Sequence, residues 1–432
     1  MRRVIIALLI PALLLSAGAC SSDRPAARSD VTVPADSVAG NGTTTVESTA
    51  PVEDGVLRLG VLAPLTGDGA PIGLSLQTTV EFAVGQINHA GGVNGRPVQL
   101  RIADEGADIA TATAGLDELV KDDVDAIIGP TSSTVTLSVL DTIRRNQILA
   151  CSATATAISL DDFPDDGLFF RTAPSDSLEA EAMARAIDQT GRSSVGLMYV
   201  DDAYGRSFAD RLQQALANRS IAVMASVPFS PADSESDTAG KIAQVTSAQV
   251  IAVIGAADSG ARVVSAVVEA TPADDTPIVV NDAMRGSPAA DTFAQFPDAK
   301  LQRIIGVAPR ARTDNTDFLD SLRVASPDAS GLFAVNAFDC VNLVALAAAA
   351  VGSSDPREIA ARIPSVATSG TRCLAFADCS ALLTQGRNVD YDGPSGVLQL
   401  AFDGDPNRGV YDLFGYAADA GERDMGLLTV NV

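Results

Sequence analysis

The stretch AIIGPTSST at residues 126–134 and the stretch ILACSATAT at residues 148–156 share one pattern, a short apolar run that ends in small hydroxyl residues. From Val56 onward the chain repeats such β-rich runs in alternation with amphipathic helices. In residues 73–90, apolar side chains recur every three or four positions, which is typical of one buried helix face. Strands that alternate with helices through short loops predict parallel sheets covered by helices on both faces, an α/β fold.

The predicted elements extend through most of the chain. The strands are expected at residues 57–63, 98–103, 126–129, 148–152, 194–199, 222–227, 250–255, 278–281 and 303–307. The helices are expected at residues 73–90, 202–218, 237–248 and 260–270. Ligands of such sheets bind beyond the carboxyl ends of the strands. The functional residues are therefore expected in three polar clusters that follow strands, at residues 129–134, 151–156 and 201–205.

Hydroxyl groups and free N–H groups at a helix N-terminus suit a carboxylate, because hydrogen bonds and the helix dipole both favour negative charge there. For each cluster the alternative is simple helix capping by Ser or Thr. Two hydroxyl clusters after neighbouring strands favour a ligand site over two separate caps.

Composition favours a binding protein over an enzyme. The 432 residues suggest two or three domains, each large enough for a core. With 30 basic against 54 acidic residues, the net charge of -24 argues against nucleic-acid binding and against docking on anionic lipid by charge. The single histidine, His89, makes histidine metal sites and Ser-His-Asp or Cys-His catalysis improbable. At the end of a helix its imidazolium suits the dipole.

The N-terminus, MRRVIIALLIPALLLSAGAC at residues 1–20, is typical of a targeting segment. Two arginines precede an apolar run that is too short to span a membrane, and small residues then lead to Cys20. This resembles a bacterial lipoprotein signal at residues 1–19, with Cys20 as the lipidated first residue of the mature chain. Ordinary secretion with cleavage after Ala19 is the alternative. Residues 20–55, rich in Ser, Thr, Ala and Pro, are expected to form a flexible tether.

Five motifs together resemble the branched-chain amino acid-binding family, the extracytoplasmic solute-binding proteins of ABC importers. They are LRLGVLAPLTGDGAPIG at 57–73, QINHAGGVNGRPVQL at 86–100, IIGPTSS at 127–133, ILACSATAT at 148–156 and YVDDAYGRSFAD at 199–210. The resemblance implies the type I periplasmic-binding-protein fold, two doubly wound parallel-sheet lobes joined by three hinge strands. It places the crossings near residues 171–173, 307–309 and 392–393. The N-lobe is then residues 56–172 with 308–391, and the C-lobe residues 173–307 with 393–432.

The resemblance also implies a binding site for a zwitterion. Ser133 matches the serine that holds the ligand carboxylate, and Thr154 matches a position whose carbonyl accepts from the ammonium. Thr156 matches a threonine that contacts both groups. Tyr204 matches an aromatic residue that covers the ligand, and Asp282 an acid that pairs with the ammonium. Such pairing is needed because an unpaired buried charge is costly.

Two positions depart from the family pattern. Ile72 and Ala257 stand where the family often has an aromatic residue, and both are expected to line the side-chain subsite. Their smaller side chains leave room for a ligand that is bulkier than leucine or is not an amino acid.

The resulting expectation is a lipid-anchored monomer at the outer face of the cytoplasmic membrane that captures an amino acid or related small polar solute for an ABC permease. A ligand-sensing or envelope-assembly lipoprotein with the same fold is the alternative. Catalysis is disfavoured because Ser133 lacks a base. No cofactor or metal is expected, since GxGxxG does not follow the first strand and the acidic pairs at 161–162 and 165–166 lack calcium-loop spacing.

Four cysteines remain beyond Cys20, and an extracytoplasmic location permits disulfides. Cys373 and Cys379 close a short loop, in a segment that resembles a cysteine-bearing insertion of some relatives. We expect them to pair, with two free thiols as the alternative. Cys151 and Cys340 are expected to be buried, and whether they pair depends on a distance that the sequence does not contain.

Overall fold

The computed structural model describes residues 51–67, 69–255, 257–271, 275–310, 316–326, 333–401, 403–419 and 421–431, with the side chains at positions 257, 287, 288, 316 and 317 excepted. The predicted signal segment, Cys20 and most of the predicted tether therefore lie outside the described residues. So does the side chain of Ala257.

The chain first builds a five-stranded parallel sheet in the order β2-β1-β3-β4-β5. Its strands are β1 (Arg58–Ala63), β2 (Gln99–Asp104), β3 (Ala126–Ile128), β4 (Leu149–Ser152) and β5 (Phe169–Arg171). The helices between them are α1 (Ala70–His89), α2 (Ile109–Lys121) and α3 (Ser133–Arg145). The apolar face predicted for α1 is buried, including Leu76, Val80 and Ile87. This sheet forms the first lobe.

The second lobe follows with the same alternation. Its strands are β6 (Ser194–Val200), β7 (Ala222–Phe229), β8 (Val250–Ile254), β9 (Ile278–Val280) and β10 (Ile304–Pro309). Its helices are α4 (Asp176–Gln189), α5 (Ala203–Ala217), α6 (Glu235–Val245), α7 (Ala257–Ala270), α8 (Ser287–Phe293) and α9 (Asp298–Leu301). These five strands pair with one another in parallel, and β8 is buried along its whole length, as in a sheet covered on both faces.

The chain then returns to the first lobe with α10 (Thr316–Ala325), α11 (Ala334–Val351), α12 (Pro356–Val366), β11 (Thr371–Cys373), α13 (Phe376–Thr384) and β12 (Val389–Tyr391). Helix α11 is long and apolar enough to cross a membrane by composition, but 78% of it is buried inside the protein, as expected of a core helix. The expected disulfide Cys373–Cys379 is present. Cys151 on β4 and Cys340 on α11 also form a disulfide, which settles the pairing that the sequence left open.

The C-terminal hairpin differs from the expectation of purely parallel sheets. Strands β13 (Arg408–Tyr416) and β14 (Glu422–Asn431) extend the second-lobe sheet to the order β14-β13-β10-β9-β8-β6-β7, and both pair antiparallel. A tight turn joins them, because the Gly421 carbonyl accepts a hydrogen bond from Ala417 N at 3.0 Å. A short turn between neighbouring strands forces them to run antiparallel. The predicted α/β class with two mainly parallel sheets is confirmed.

Three passages connect the sheets. The chain leaves the first sheet after Arg171 and returns to pack against it after Pro309. The third passage was expected near residues 392–393. Leu398 and Leu400 nevertheless pack in the first-lobe core, so the chain reaches the second lobe only between Leu400 and the start of β13.

One buried acid supports this last connection. Asp339 of α11 accepts hydrogen bonds from the Tyr391 hydroxyl at 2.7 Å and from Ser395 N at 2.9 Å. Burial raises the pKa of the Asp339 carboxyl to about 7, although both hydrogen bonds lower it. The acid therefore couples the helix core to the segment that follows β12.

Candidate functional site

The hydroxyl clusters predicted from the sequence meet at the carboxyl ends of β3 and β4. Thr154 donates its hydroxyl to the Thr131 carbonyl at 2.6 Å, and the Ser133 hydroxyl accepts from Ala157 N at 3.2 Å. Ser133 opens α3, whose N-terminus carries the positive end of the helix dipole. Ser133 and Thr154 are half-buried, so this edge of the first lobe remains accessible.

A carboxylate of the protein itself lies at the same helix end. Glu105, which is 1% exposed, accepts hydrogen bonds from Thr131 N at 2.7 Å and Ser132 N at 2.9 Å. Burial raises the pKa of Glu105, while the two N–H donors oppose the shift. The N-terminus of α3 therefore already holds one negative group.

Ile72 lies beside these hydroxyl residues. It packs against Leu76, Ala153 and Ala337, where Ala153 immediately precedes Thr154 in the chain. Helix α7 begins at Ala257, directly after β8, but the side chain there is outside the described residues.

The second lobe presents Tyr204 and Asp282. Tyr204 stands in the first turn of α5, packs edge-to-face on Phe208 with ring centroids 5.9 Å apart, and accepts a hydrogen bond on its hydroxyl from Asn281 Nδ2 at 2.9 Å. Asn281 also accepts from Gly255 N at 3.1 Å, so it links the ends of β8 and β9. Asp282 follows Asn281 and is half-buried.

Three acidic side chains lie together at this position: Asp176 and Glu179 in the first turn of α4, and Asp282. Glu179 Oε1 accepts from Asp282 N at 2.8 Å, and Asp176 N donates to the Thr156 carbonyl at 2.8 Å. Thr156 of the first lobe thus contacts α4 of the second. The helix dipole at the start of α4 favours negative charge on Asp176 and Glu179.

The acids repel one another. Burial and then the Asp282 carboxylate raise the pKa of Asp176 to about 7, while hydrogen bonding from Thr156 lowers it. Burial, Asp282 and Asp176 raise the pKa of Glu179 well above its usual range. Burial also raises the pKa of Asp282, against hydrogen bonds from Ala283 N and the Asn281 side chain. A positive group placed among these carboxylates would reverse these shifts.

Tyr411 of β13 is a further member of this region. Its side chain is fully buried, and its hydroxyl has no hydrogen-bond partner among the described residues. Burial, followed by the charges of Glu179, Asp176 and Asp282, raises its pKa well above the usual range. The hydroxyl thus lies within electrostatic reach of all three acids.

Arg171 holds the junction of the lobes next to this site. Its guanidinium, fully buried, donates from Nε to Asp405 at 2.6 Å and from Nη2 to Asp161 at 2.7 Å, and also contacts the Ala157 carbonyl at 3.1 Å. A second, shorter bond joins Nη2 to Asp405. Because Asp405 precedes β13 and Arg171 ends β5, this ion pair joins the first and third passages between the lobes.

The structure thus brings Ser133, Thr154 and Thr156 together on one lobe and Tyr204 and Asp282 on the other; their roles in binding stay predictions. Sequence reasoning missed four residues that the structure places at the candidate site: Glu105, Asp176, Glu179 and Tyr411. The first three stand at strand or helix ends, the positions where the topology directs attention. Within the described ranges, no group of three or more His, Cys, Asp or Glu side chains is arranged to hold a metal ion.

Comparison with known proteins gives one family and a consistent fold. The family described as "Periplasmic binding protein" matches residues 56–418. The chemotactic signal transduction system substrate-binding protein BasB of Halobacterium salinarum is 28% identical over 389 residues, 86% of this chain and 89% of that protein. The Leu/Ile/Val-binding protein BraC3 of Rhizobium johnstonii is 29% identical over 189 residues, 43% of this chain and 51% of that one.

Among solved structures, the branched-chain amino acid transporter substrate-binding protein LivJ of Streptococcus pneumoniae, in complex with isoleucine, is similar to this chain with a TM-score of 0.67. The two are 20% identical, and the match covers 87% of this chain and all of that one. At this identity the similarity speaks for the fold alone.

Proposed function

The chain belongs to the periplasmic binding protein family, and from this we propose that it is an extracytoplasmic solute-binding lipoprotein that delivers a small molecule to an ABC permease. Like other members of that family it binds a solute and is not an enzyme. In the proposed cycle the ligand enters the cleft between the lobes, and the lobes close on it by hinge motion. One observation supports the proposal: the hydroxyl-rich edge of the first lobe meets the acidic first turn of α4 in the second lobe, where Asp176 N donates to the Thr156 carbonyl.

The proposed ligand is an amino acid, of branched-chain type, or a related small polar solute. Ser133, Thr154 and Thr156 would hold its polar end, while Asp282 would pair with an ammonium and Tyr204 would cover it. Ile72 and the position of Ala257 would line the remaining space. The printed names of BraC3 and LivJ refer to branched-chain amino acids, which supports this class of ligand.

A thermal-shift screen of amino acids, amides and small acids tests the proposal, because a ligand that binds only the native state raises its apparent stability. Calorimetry with the best ligand then compares Ser133→Ala and Asp282→Ala with wild type. Loss of a hydrogen bond to a charged group should weaken binding roughly 10- to 150-fold. The exposed Ser236→Ala and Asp210→Ala variants are matched controls and should bind as wild type does. No response to any solute would contradict a binding function.

Ligand sensing is the second candidate, because BasB, by its printed name, belongs to a chemotactic signal transduction system. Deletion of the gene separates the two functions. Loss of uptake of the radiolabelled ligand is expected for a transport protein. Normal uptake together with loss of the cellular response to the ligand would favour sensing.

A further inference from the structure

The cleft holds more carboxyl groups than one ammonium group needs. Asp176 and Glu179 are 3% and 2% exposed, and Asp282 is half-buried beside them. Throughout the chain segments that the structure describes, no Lys or Arg side chain forms an ion pair with any of the three. The neighbouring cation, Arg171, is engaged by Asp161 and Asp405. Buried carboxylates without a cation are costly, so this cluster is suited to receive positive charge from outside.

An independent observation points to a ligand at the same place. The Tyr411 hydroxyl is fully buried and lacks a hydrogen-bond partner among the described residues, which is rare for a buried polar group. It lies within electrostatic reach of Glu179, Asp176 and Asp282. A phenol oxygen can accept a hydrogen bond from an ammonium group that is held by those carboxylates.

On the opposite side of the cleft, the N-terminus of α3 already holds a negative group of the protein. The Thr131 and Ser132 N–H groups at the N-terminus of α3 already bind Glu105, and the Ser133 hydroxyl accepts from Ala157 N. A ligand carboxylate at this helix end would therefore lie near the carboxylate of Glu105. A neutral zwitterion brings as much negative as positive charge, so it leaves the further carboxyl groups of the site without a cation.

We propose that the solute bound in this cleft carries a net positive charge, with a second cationic nitrogen besides the one that pairs with Asp282. A basic amino acid or a short aliphatic diamine has this chemistry. Its second ammonium or guanidinium group lies between Glu179 and Asp176, with the Tyr411 hydroxyl as a further acceptor. A metal ion fits less well, because the acids are not arranged as a metal site in the part of the chain that the structure describes. This inference rests on the proposed function and specifies its ligand class.

Calorimetry on the whole extracytoplasmic chain tests the inference with L-lysine, L-arginine and 1,4-diaminobutane against L-leucine and L-isoleucine. At least one cationic solute should bind ten or more times as tightly as leucine. Its binding should release protons at neutral pH, measured as a dependence of the heat on the ionisation enthalpy of the buffer, because a bound cation lowers the pKa of carboxyls that burial had raised.

The Glu179→Gln variant removes the carboxyl group of this side chain but keeps its size and shape. The amide keeps the size of the side chain and an oxygen that can accept from Asp282 N, so the cleft should keep its geometry. We expect affinity for the cationic solute to fall at least tenfold and proton release to decrease. Glu181→Gln is the matched control on the same helix, because Glu181 pairs with Arg219 instead. It should leave affinity unchanged.

The outcomes are distinguishable. If leucine or isoleucine binds more tightly than every cationic solute, the inference is overturned and the proposed function stands. Equal loss of affinity in Glu179→Gln and Glu181→Gln would also overturn it. If none of the five solutes binds, the inference fails, and the wider solute screen decides whether the proposed function fails with it.

Discussion

Replacement of Arg171 by methionine should destabilise the protein more than any exchange of a surface arginine. The Arg171 side chain is fully buried, and its guanidinium binds Asp161, Asp405 and the carbonyls of Ala155 and Ala157. Methionine has a similar length and fills part of the space but offers no donor. The variant therefore leaves two carboxylates and two carbonyls without their cation.

The expected loss of stability depends on how far Asp161 and Asp405 are exposed to solvent. Removing one member of a buried ion pair costs about 3–5 kcal/mol. The side chains of Asp161 and Asp405 are 23% and 16% exposed, so water can partly replace the lost donors. We therefore expect a loss near the lower end, about 3 kcal/mol at pH 7, out of the roughly 5–15 kcal/mol that stabilises a native protein. Arg323→Met, at an exposed pair with Asp320, should change stability by at most about 0.5 kcal/mol.

Urea unfolding followed by circular dichroism measures both variants. Arg171→Lys should fall between wild type and Arg171→Met, because lysine keeps the charge but cannot bind two carboxylates in the planar geometry of a guanidinium. The difference in the free energy of unfolding between wild type and Arg171→Met should decrease as the pH falls towards 4. Burial already raises the pKa of Asp405 in the wild type, and without Arg171 this carboxyl protonates at a higher pH still. A loss below about 1 kcal/mol at pH 7, or one that grows at low pH, would refute this reasoning.

Three further predictions concern the anchor, the crosslinks and the pH dependence. Cys20→Ala should release the protein from the membrane into the medium; a variant that stays membrane-bound would exclude lipidation as the anchor. Loss of the Cys151–Cys340 disulfide by double alanine substitution should cost about 5 kcal/mol in urea unfolding, and loss of Cys373–Cys379 about 2 kcal/mol, because the loop entropy grows with the sequence separations of 189 and 6 residues. Equal losses would contradict this prediction. Because the pKa of Asp339 is raised in the folded protein, its protonated carboxyl contributes stability that is fully present below pH 4 and is lost as the pH rises towards 7. Asp339→Asn removes this titration and should therefore reduce the fall in stability between pH 4 and pH 7 by up to about 4 kcal/mol. Parallel curves of stability against pH for wild type and variant would contradict this prediction.

Local patterns in the sequence were sufficient for most of the fold. The strands from β1 to β10, apart from β5, were predicted within a few residues, because each is a short apolar run between helices with clear periodicity. The C-terminal hairpin was missed, since β13 and β14 contain alternating and charged residues in a stretch without helices to mark its limits. The late third passage was missed for a different reason. Leu398 and Leu400 join the first-lobe core through contacts that are distant in sequence.

In the candidate site, too, some residues are marked by a sequence motif, whereas others are identified only by contacts between distant parts of the chain. Ser133, Thr154 and Tyr204 could be singled out because each follows a strand within a recognisable motif. No sequence motif marked Glu179, because Asp282 N, which donates to its carboxylate, lies 103 residues away in the chain, at the end of β9.

Charge balance in the cleft is likewise a property of the folded chain. The sequence has 54 acidic residues, and nothing local distinguishes the few that are buried without a basic partner from the many that face solvent. A zwitterion was expected because the family resemblance implies a serine at the ligand carboxylate and one acid, Asp282, at the ammonium. The fold brings Asp176 and Glu179 close to Asp282, and it places Glu105 at the N-terminus of α3. The proposed preference for a positively charged solute thus rests on contacts between α4 and the end of β9, which no single motif contains.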